Sequence, residues 1–238
     1  MEQFYIPTLT KEDKEIHFDK IESKHLHKVL RKKIGDEITI VNGVGYRFEG
    51  TLTSVHDKQC TAVVNQCEKI PSDSYQLHLY IAPTKSNNRM EWFVEKATEI
   101  GVHAITPIIC QRSERRVVKQ ERLHKIAIAA MKQSLGAYLP VIHPFCDFFT
   151  ALKQLEGKAF IAHCQDTEKV ILDSQVLAHK SISIFIGPEG DFSTEEIKAA
   201  ADENVTAITF GTKRMRTETA GIIACHSVSQ LYMQKTYL

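Results

Sequence analysis

Two rhythms of apolar and polar residues run along this chain. Between Glu37 and Cys67, short bursts of alternation (EITIV, YRFEGTLTSV and QCTAVVNQC) are separated by Asn42-Gly43, Gly45 and Asp57-Lys58. Period-two alternation broken by turn formers predicts short, half-buried strands and a small β-barrel-like unit. From Leu77 onward the rhythm changes. QLHLYIAP (76–83), AITPIICQ (104–111), KAFIAHC (158–164), SISIFI (181–186) and AITFG (207–211) read as apolar strands. Between the first strands, Met90, Phe93, Val94 and Ala97 fall on one face of a helix over 89–100. Leu123, Ile126, Ala127, Ala130, Met131 and Ser134 do the same for a second helix. Further helices are predicted at about 194–203 and 220–236. Helices alternating with apolar strands predict an α/β domain around a mostly parallel sheet. The stretch EKIPSDSY (68–75) follows neither rhythm, with Pro71 set among Ser72, Asp73 and Ser74. It reads as a linker between domains at 1–70 and 75–238.

Composition narrows the classes without choosing among them. With 238 residues, 43% hydrophobic and 25% charged, the chain is long enough to bury roughly 70% of its unfolded surface. Its apolar runs fall far short of the ~20 residues of a membrane span, and the N-terminus has no basic head followed by an apolar stretch. A cytoplasmic protein with no membrane partner is expected. The six cysteines are scattered without a C-x-x-C pair, which predicts reduced packing residues rather than a disulfide framework or a metal site. Net charge is only +1, but the basic residues cluster. Lys24, Lys28, Arg31, Lys32 and Lys33 lie in one acid-free stretch, and Arg112, Arg115 and Arg116 begin a second, six-basic stretch that ends at Lys125. Solvated helix or loop faces account for either alone; two in one chain weaken that reading and suit a polyanionic partner.

The candidate chemistry sits at strand ends, where an open α/β sheet binds ligands. In IFIGPEGDFSTEEI (184–197) a strand runs into Gly187-Pro188-Glu189-Gly190, and Ser193 with Glu196 forms a capping-box pattern that starts a helix near Thr194. Glycines there let a ligand approach the backbone closely, although a tight turn with no ligand satisfies the same pattern. Neither G-x-x-x-x-G-K-[ST] nor G-x-G-x-x-G occurs anywhere, which disfavours a nucleotide enzyme of ordinary Rossmann type. A second loop, GTKRMRTETAG (211–221), combines basic residues, hydroxyls and Glu218. Thr217 or Thr219 is placed to cap the last helix. If its strand neighbours that of the first loop, Arg216 lies beside Glu189.

These two loops, with HLHKVLR (25–31), KSNNRMEWFVEKATEIGV (85–102), TPIICQRSE (106–114) and KQS (132–134), resemble the RsmE-type small-subunit (16S) ribosomal RNA uridine-N3 methyltransferases of the SPOUT class. The resemblance covers essentially the whole chain. It implies a PUA-like RNA-binding β-barrel and a C-terminal α/β domain tied in a deep trefoil knot over about 184–238. It also implies S-adenosylmethionine as cofactor, small-subunit ribosomal RNA as partner, either free or in an assembled subunit, and a homodimer. Gly187, Pro188, Glu189 and Gly190, with Phe210, Gly211, Met215, Arg216, Thr217, Thr219 and Ala220, would then form the cofactor loops. Three departures stand out: Thr212 where proline is common, Arg214-Met215 where two aliphatic residues are usual, and Leu135-Gly136-Ala137 where a basic residue follows Gln133-Ser134.

Such chemistry asks little of the protein beyond alignment and charge stabilisation, with no metal. Uracil N3 must lose a proton, leaving anionic character on its flanking oxygens; Arg216 is the candidate donor to it, and Glu218 takes the proton or orders the loop. Ala220, Ile223, Ala224, Ser227, Val228 and Leu231 form a stripe on the last helix suited either to a dimer contact or to the core. The competing reading is a non-catalytic RNA-binding protein that uses only the barrel and the basic stretches.

Overall fold

The computed structural model describes residues 2–172 and 174–237; the expected domain ends Met1 and Leu238 lie outside the described residues. The chain divides into two compact units, Met1–Ser72 with Met131–Leu139, and Asp73–Ala130 with Pro140–Leu238.

In the first unit, β1 (Gln3–Tyr5), β2 (Glu15–His17), α1 (Lys20–Lys24) and a π-helical turn at His25–Val29 precede the strands β3 (Glu37–Val41), β4 (Tyr46–Ser54) and β5 (Thr61–Lys69). Among the described residues these strands form a five-stranded sheet in the order β1-β3-β4-β5-β2, antiparallel except where β1 joins β3 in parallel. The three longer strands were predicted, β5 two residues earlier than it lies. The three-residue strands and five-residue α1 were not, because such short elements carry too few positions to show a period. Asn42 makes the β3–β4 turn: its Oδ1 accepts from the amides of Val44 and Tyr46, each at 3.1 Å. Alternation in β4 then buries Phe48 and Leu52 with Phe4, Ile16, Leu26 and Ile40, each worth roughly 1.5–3 kcal/mol of transfer free energy.

The segment Met131–Leu139 belongs to this unit although the apolar spacing predicted only helix through Ser134. Met131 and Ala137 pack on Val41. The carbonyls of Leu135 and Gly136 accept from Arg47 (3.1 Å) and Gln3 (2.8 Å). The departure at Leu135-Gly136-Ala137 therefore does structural service in this chain.

The second unit holds β6 (Gln76–Ile81), α2 (Asn87–Ile100), β7 (Ala104–Ile109), α3 (Gln120–Gln133, whose last three residues belong to the first unit), β8 (Val141–Ile142) and β9 (Cys146–Asp147). It continues with α4 (Phe148–Lys153), β10 (Lys158–Ala162), β11 (Val170–Ile171), a 3₁₀ turn at Ser174–Ala178, β12 (Ser181–Ile186), α5 (Thr194–Asp202), β13 (Thr206–Thr209) and α6 (Thr217–Tyr237). Among the described residues its strand pairings are parallel, in the order β11-β13-β10-β12-β6-β7-β8 with β9 beside β7. The expectation that the strands feeding the two loops are neighbours is corrected here. β10 lies between β12 and β13, with Ala162 in register with both Ile186 and Ile208. Adjacency in sequence did not mean adjacency in the sheet, and the insertion brings a third loop, 163–169, to the same edge.

Apolar strands are explained by layers on both faces. Tyr80, Phe148, Phe185 and Phe192 pack as one aromatic cluster. α6 packs on α2 so closely that a Cβ on Gly221 would lie 2.5 Å from Phe93. The cysteines are free thiols, with Cys60, Cys110 and Cys225 buried. No helix among the described residues is long and apolar enough to cross a membrane.

Candidate active site

The first loop is braced from several directions. Glu196, 1% exposed, accepts the Ser193 amide on one carboxylate oxygen (2.8 Å), while Ser193 Oγ accepts the Glu196 amide (3.1 Å), the capping box read from the sequence. Its other oxygen accepts the amide of Gln111, 85 residues away, at 2.8 Å. The Asp191 amide donates to Pro188 O (2.9 Å), and Asp191, at φ 63°, accepts the Cys164 amide at 3.0 Å. Arg112 donates to Gly190 O (3.2 Å) and Phe192 O (3.3 Å); Glu189 accepts the Lys85 amide at 3.0 Å. The two glycines are unequal. A Cβ on Gly187 would sit 2.9 Å from the buried Phe192 ring, whereas one on Gly190 would meet only Arg112, at 3.2 Å.

The second loop is loose by comparison. Residues 211–216 are all exposed; Gly211 has φ 143°, and its amide donates to Thr209 Oγ1 at 3.2 Å. Neither threonine caps the last helix. Thr217 is its first residue, three before the expected start, and its hydroxyl donates to Gly187 O at 2.9 Å. That bond ties the start of α6 to the first loop, so the two loops converge without their strands being neighbours.

The third loop supplies a residue that no motif marked. His163 is 8% exposed, and neither ring nitrogen has a partner among the described residues. Burial first, then Lys169, pushes its pKa below the usual imidazole value, against the opposing pull of Asp191. Burial and Lys169 both favour the neutral imidazole, which has one donor and one acceptor to offer. The three loops enclose a cleft of about 820 Å³. Gly187, Pro188, Glu189, Gly190, Phe210, Gly211, Met215, Arg216, Thr217 and Ala220 line it, as does His163. Thr219 does not. It lines a second cavity, of about 620 Å³, with Asn88, Arg89, Trp92 and Glu218; residues 214–216 border both. Glu218 is 6% exposed and its Oε1 lies 3.6 Å from Arg89 Nε. The visible signals for the missed residues were slight: His163 directly follows a strand, and Arg89 and Trp92 share a helix face at i, i+3.

The basic residues are partly committed. Lys28 pairs with Asp57 at 2.7 Å, and Lys28, then His27, hold the Asp57 carboxyl down at about 2. Lys32 donates to Glu37 O at 3.2 Å, while Lys24 and Arg31 are exposed. Arg115 donates to Val117 O (3.0 Å) and Lys85 O (3.4 Å), Arg116 to Gln111 O (3.4 Å). With Arg112 on the first loop, the second stretch braces the cleft's surroundings.

A cleft built from loops at the carboxyl edge of a parallel sheet, in a chain that also carries a separate small β unit, suits a two-domain RNA-modifying enzyme, and comparison bears this out. The family described as RNA methyltransferase domain matches residues 71–229, and its companion RNA methyltransferase PUA domain matches 18–65; the chain belongs to this family. Among its relatives, the ribosomal RNA small subunit methyltransferase E of Rickettsia conorii is 29% identical, over 87% of either chain. The solved structure of a probable rRNA-methyltransferase from Porphyromonas gingivalis is 33% identical, with a TM-score of 0.89 over 99% of this chain and all of that one. The ribosomal RNA small subunit methyltransferase E of Neisseria gonorrhoeae, solved bound to S-adenosyl methionine, is 26% identical with a TM-score of 0.86 over 97% and 98% of the two chains.

Proposed function

We propose that this protein transfers a methyl group from S-adenosylmethionine to N3 of a uridine in small-subunit (16S) ribosomal RNA. The observation that carries the reading is the three-loop cleft, whose size and lining suit a nucleoside bearing an amino acid. Residues 187–190 and 210–216 line the cleft, where their backbone groups would hold the cofactor's polar edge, and the unpartnered His163 ring offers the paired donor and acceptor that an adenine edge or a ribose diol requires. Bound there, S-adenosylmethionine supplies a methyl group already activated on a sulfonium.

The chain's own residues then have two tasks. Glu218 accepts the proton as the uracil N3–H bond breaks; the freed electron pair forms the new bond to the methyl carbon, and the methyl–sulfur bond breaks with its pair left on sulfur. Arg216 donates to the uracil oxygen on which charge accumulates; being protonated throughout, it cannot itself be the base. Lys24, Lys28, Arg31 and Lys32, with Arg115 and Arg116, would meet RNA phosphates, and Arg112 would act mainly by holding the first loop.

The remaining parts of the reading follow the family. The chain from about residue 184 through α6 is threaded as a deep trefoil knot, for which the placing of β12 and β13 on opposite sides of β10 is supporting topology. The protein works as a cytoplasmic homodimer. On the α6 stripe Ala224 and Val228 are buried within the fold, which leaves the half-buried Ala220, Ile223, Ser227 and Leu231 for a second copy. The substrate is small-subunit ribosomal RNA, either free or within an assembled subunit, and the test distinguishes the two. The test is incubation with labelled S-adenosylmethionine and either naked 16S RNA or subunits lacking the modification, then digestion to nucleosides. Labelled 3-methyluridine from subunits is the expected product; label in another nucleoside, or none, rejects the assignment.

A further inference from the structure

The second cavity lies across residues 214–216 from the cofactor cleft, and its lining is specific. Trp92 is 44% exposed, an uncommon state for the largest aromatic side chain. Arg89 precedes it by one helical turn on α2, and Glu218 faces Arg89 from α6 at 3.6 Å. Arg216 borders the same space. The second Glu218 oxygen, Oε2, is buried without a hydrogen-bond partner among the described residues. A buried carboxylate oxygen left unpaired is a standing cost, which a ligand donor removes. The residue itself lines the cavity.

We propose that this cavity is the pocket that receives the target base, swung out of its RNA strand. Trp92 stacks on the ring, and Arg89, Glu218 and Arg216 together read its edge. The inference rests on the uridine-N3 reading above and names the residues that make it selective. Uracil presents acceptor, donor, acceptor: one carbonyl, the N3–H, the other carbonyl. An arginine, a carboxylate and a second arginine present the complementary donor, acceptor, donor. Cytosine shows an acceptor at N3 and an amino donor beside it, so it sets its N3 lone pair against the carboxylate. The reacting nitrogen of uracil is thereby held at the wall, residues 214–216, that borders both cavities. An aromatic face adds affinity for any base, while the charged edge selects among them.

Trp92 is the chain's only tryptophan, so fluorescence excited at the red edge, where the tyrosines do not absorb, reports on this pocket alone. The full-length protein, loaded with S-adenosylhomocysteine, is titrated with the 5′-monophosphates of uridine, cytidine and 3-methyluridine. Uridine monophosphate should quench saturably, the other two at least about tenfold more weakly, and Glu218→Gln should abolish the preference. In single-turnover transfer to subunits lacking the mark, Trp92→Ala should be slower by about tenfold or more at unchanged S-adenosylhomocysteine affinity, and Trp92→Phe should recover most of the rate. Equal quenching by all three nucleotides overturns the proposal. So does a parental transfer rate in Trp92→Ala, or fluorescence that responds to protein dilution and not to nucleotide, which would mean that a second copy covers the cavity. If the parent protein itself makes no 3-methyluridine, the uridine-N3 reading fails instead.

Discussion

The two loops that end β12 and β13 serve one cleft and are built in opposite ways. The first is braced: Glu196, Asp191, Arg112, Glu189 and Thr217 each bond across it to another segment. The second is exposed from Gly211 to Arg216 and is bonded mainly to its own ends. A preorganised cradle needs no reordering when ligand binds, so it spends little of the binding energy. A loose loop can adjust between two partners, which suits the segment that borders both cavities. Cofactor affinity should therefore depend on the first loop and chemistry on the second.

Arg216→Ala tests that division most severely. Methyl transfer should fall by roughly 10²–10³-fold, the scale for losing one donor to developing negative charge, with little change in cofactor dissociation constant. Arg216→Lys should keep part of the rate, retaining charge without the planar fork. A large affinity loss in either would erase the contrast between the loops.

Gly187→Val is the complementary break. Its Cβ would press on the Phe192 ring, itself packed on Phe148, and overpacking of that kind costs about 1–3 kcal/mol. Calorimetry should show cofactor binding weakened about 10- to 100-fold in a protein that still melts cooperatively. Unaltered affinity would mean that the cradle yields more easily than its bonding implies.

Arg112→Ala removes two donors to the first loop and should weaken cofactor binding by about three- to tenfold, on the scale of ordinary hydrogen bonds. If RNA affinity falls and cofactor affinity holds, Arg112 belongs to the RNA surface after all. Gly190→Ala should be the mildest. Its φ is not positive, and the new methyl meets only Arg112, its side chain at 3.2 Å and its carbonyl oxygen at an ordinary 3.5 Å, so a change beyond about threefold would reveal a ligand close to that Cα.

How much of this was legible in the sequence depended on whether the information was local. The capping box, the apolar strands and the stripe of α2 repeat over a few residues and were read correctly, as was that of α3 up to Met131, whereas Ser134 lies exposed beyond the helix end. Gln111 reaching Glu196, Asp191 reaching Cys164, and β10 entering between β12 and β13 join segments far apart, and no periodicity encodes them. Thr217 shows the difference. Its type and place suggested a helix cap, and only the folded chain reveals Gly187 O as its acceptor. His163 was hidden for the same reason, since its significance lies in the partners its surroundings withhold.

The double duty of Glu196 carries a consequence for how this molecule breathes. One carboxylate holds the Ser193 amide just before α5 on one oxygen and the Gln111 amide just after β7 on the other, so a movement of the Glu196 side chain exposes both amides together. In deuterated buffer the two should exchange with matching protection, as members of one cooperative opening unit. Glu196→Gln, whose amide end keeps a single acceptor oxygen, should uncouple them and leave one amide fast. Opening of this unit would also free Arg112 and Phe192, so cofactor escape and deuterium uptake at Gln111 and Ser193 should share a rate.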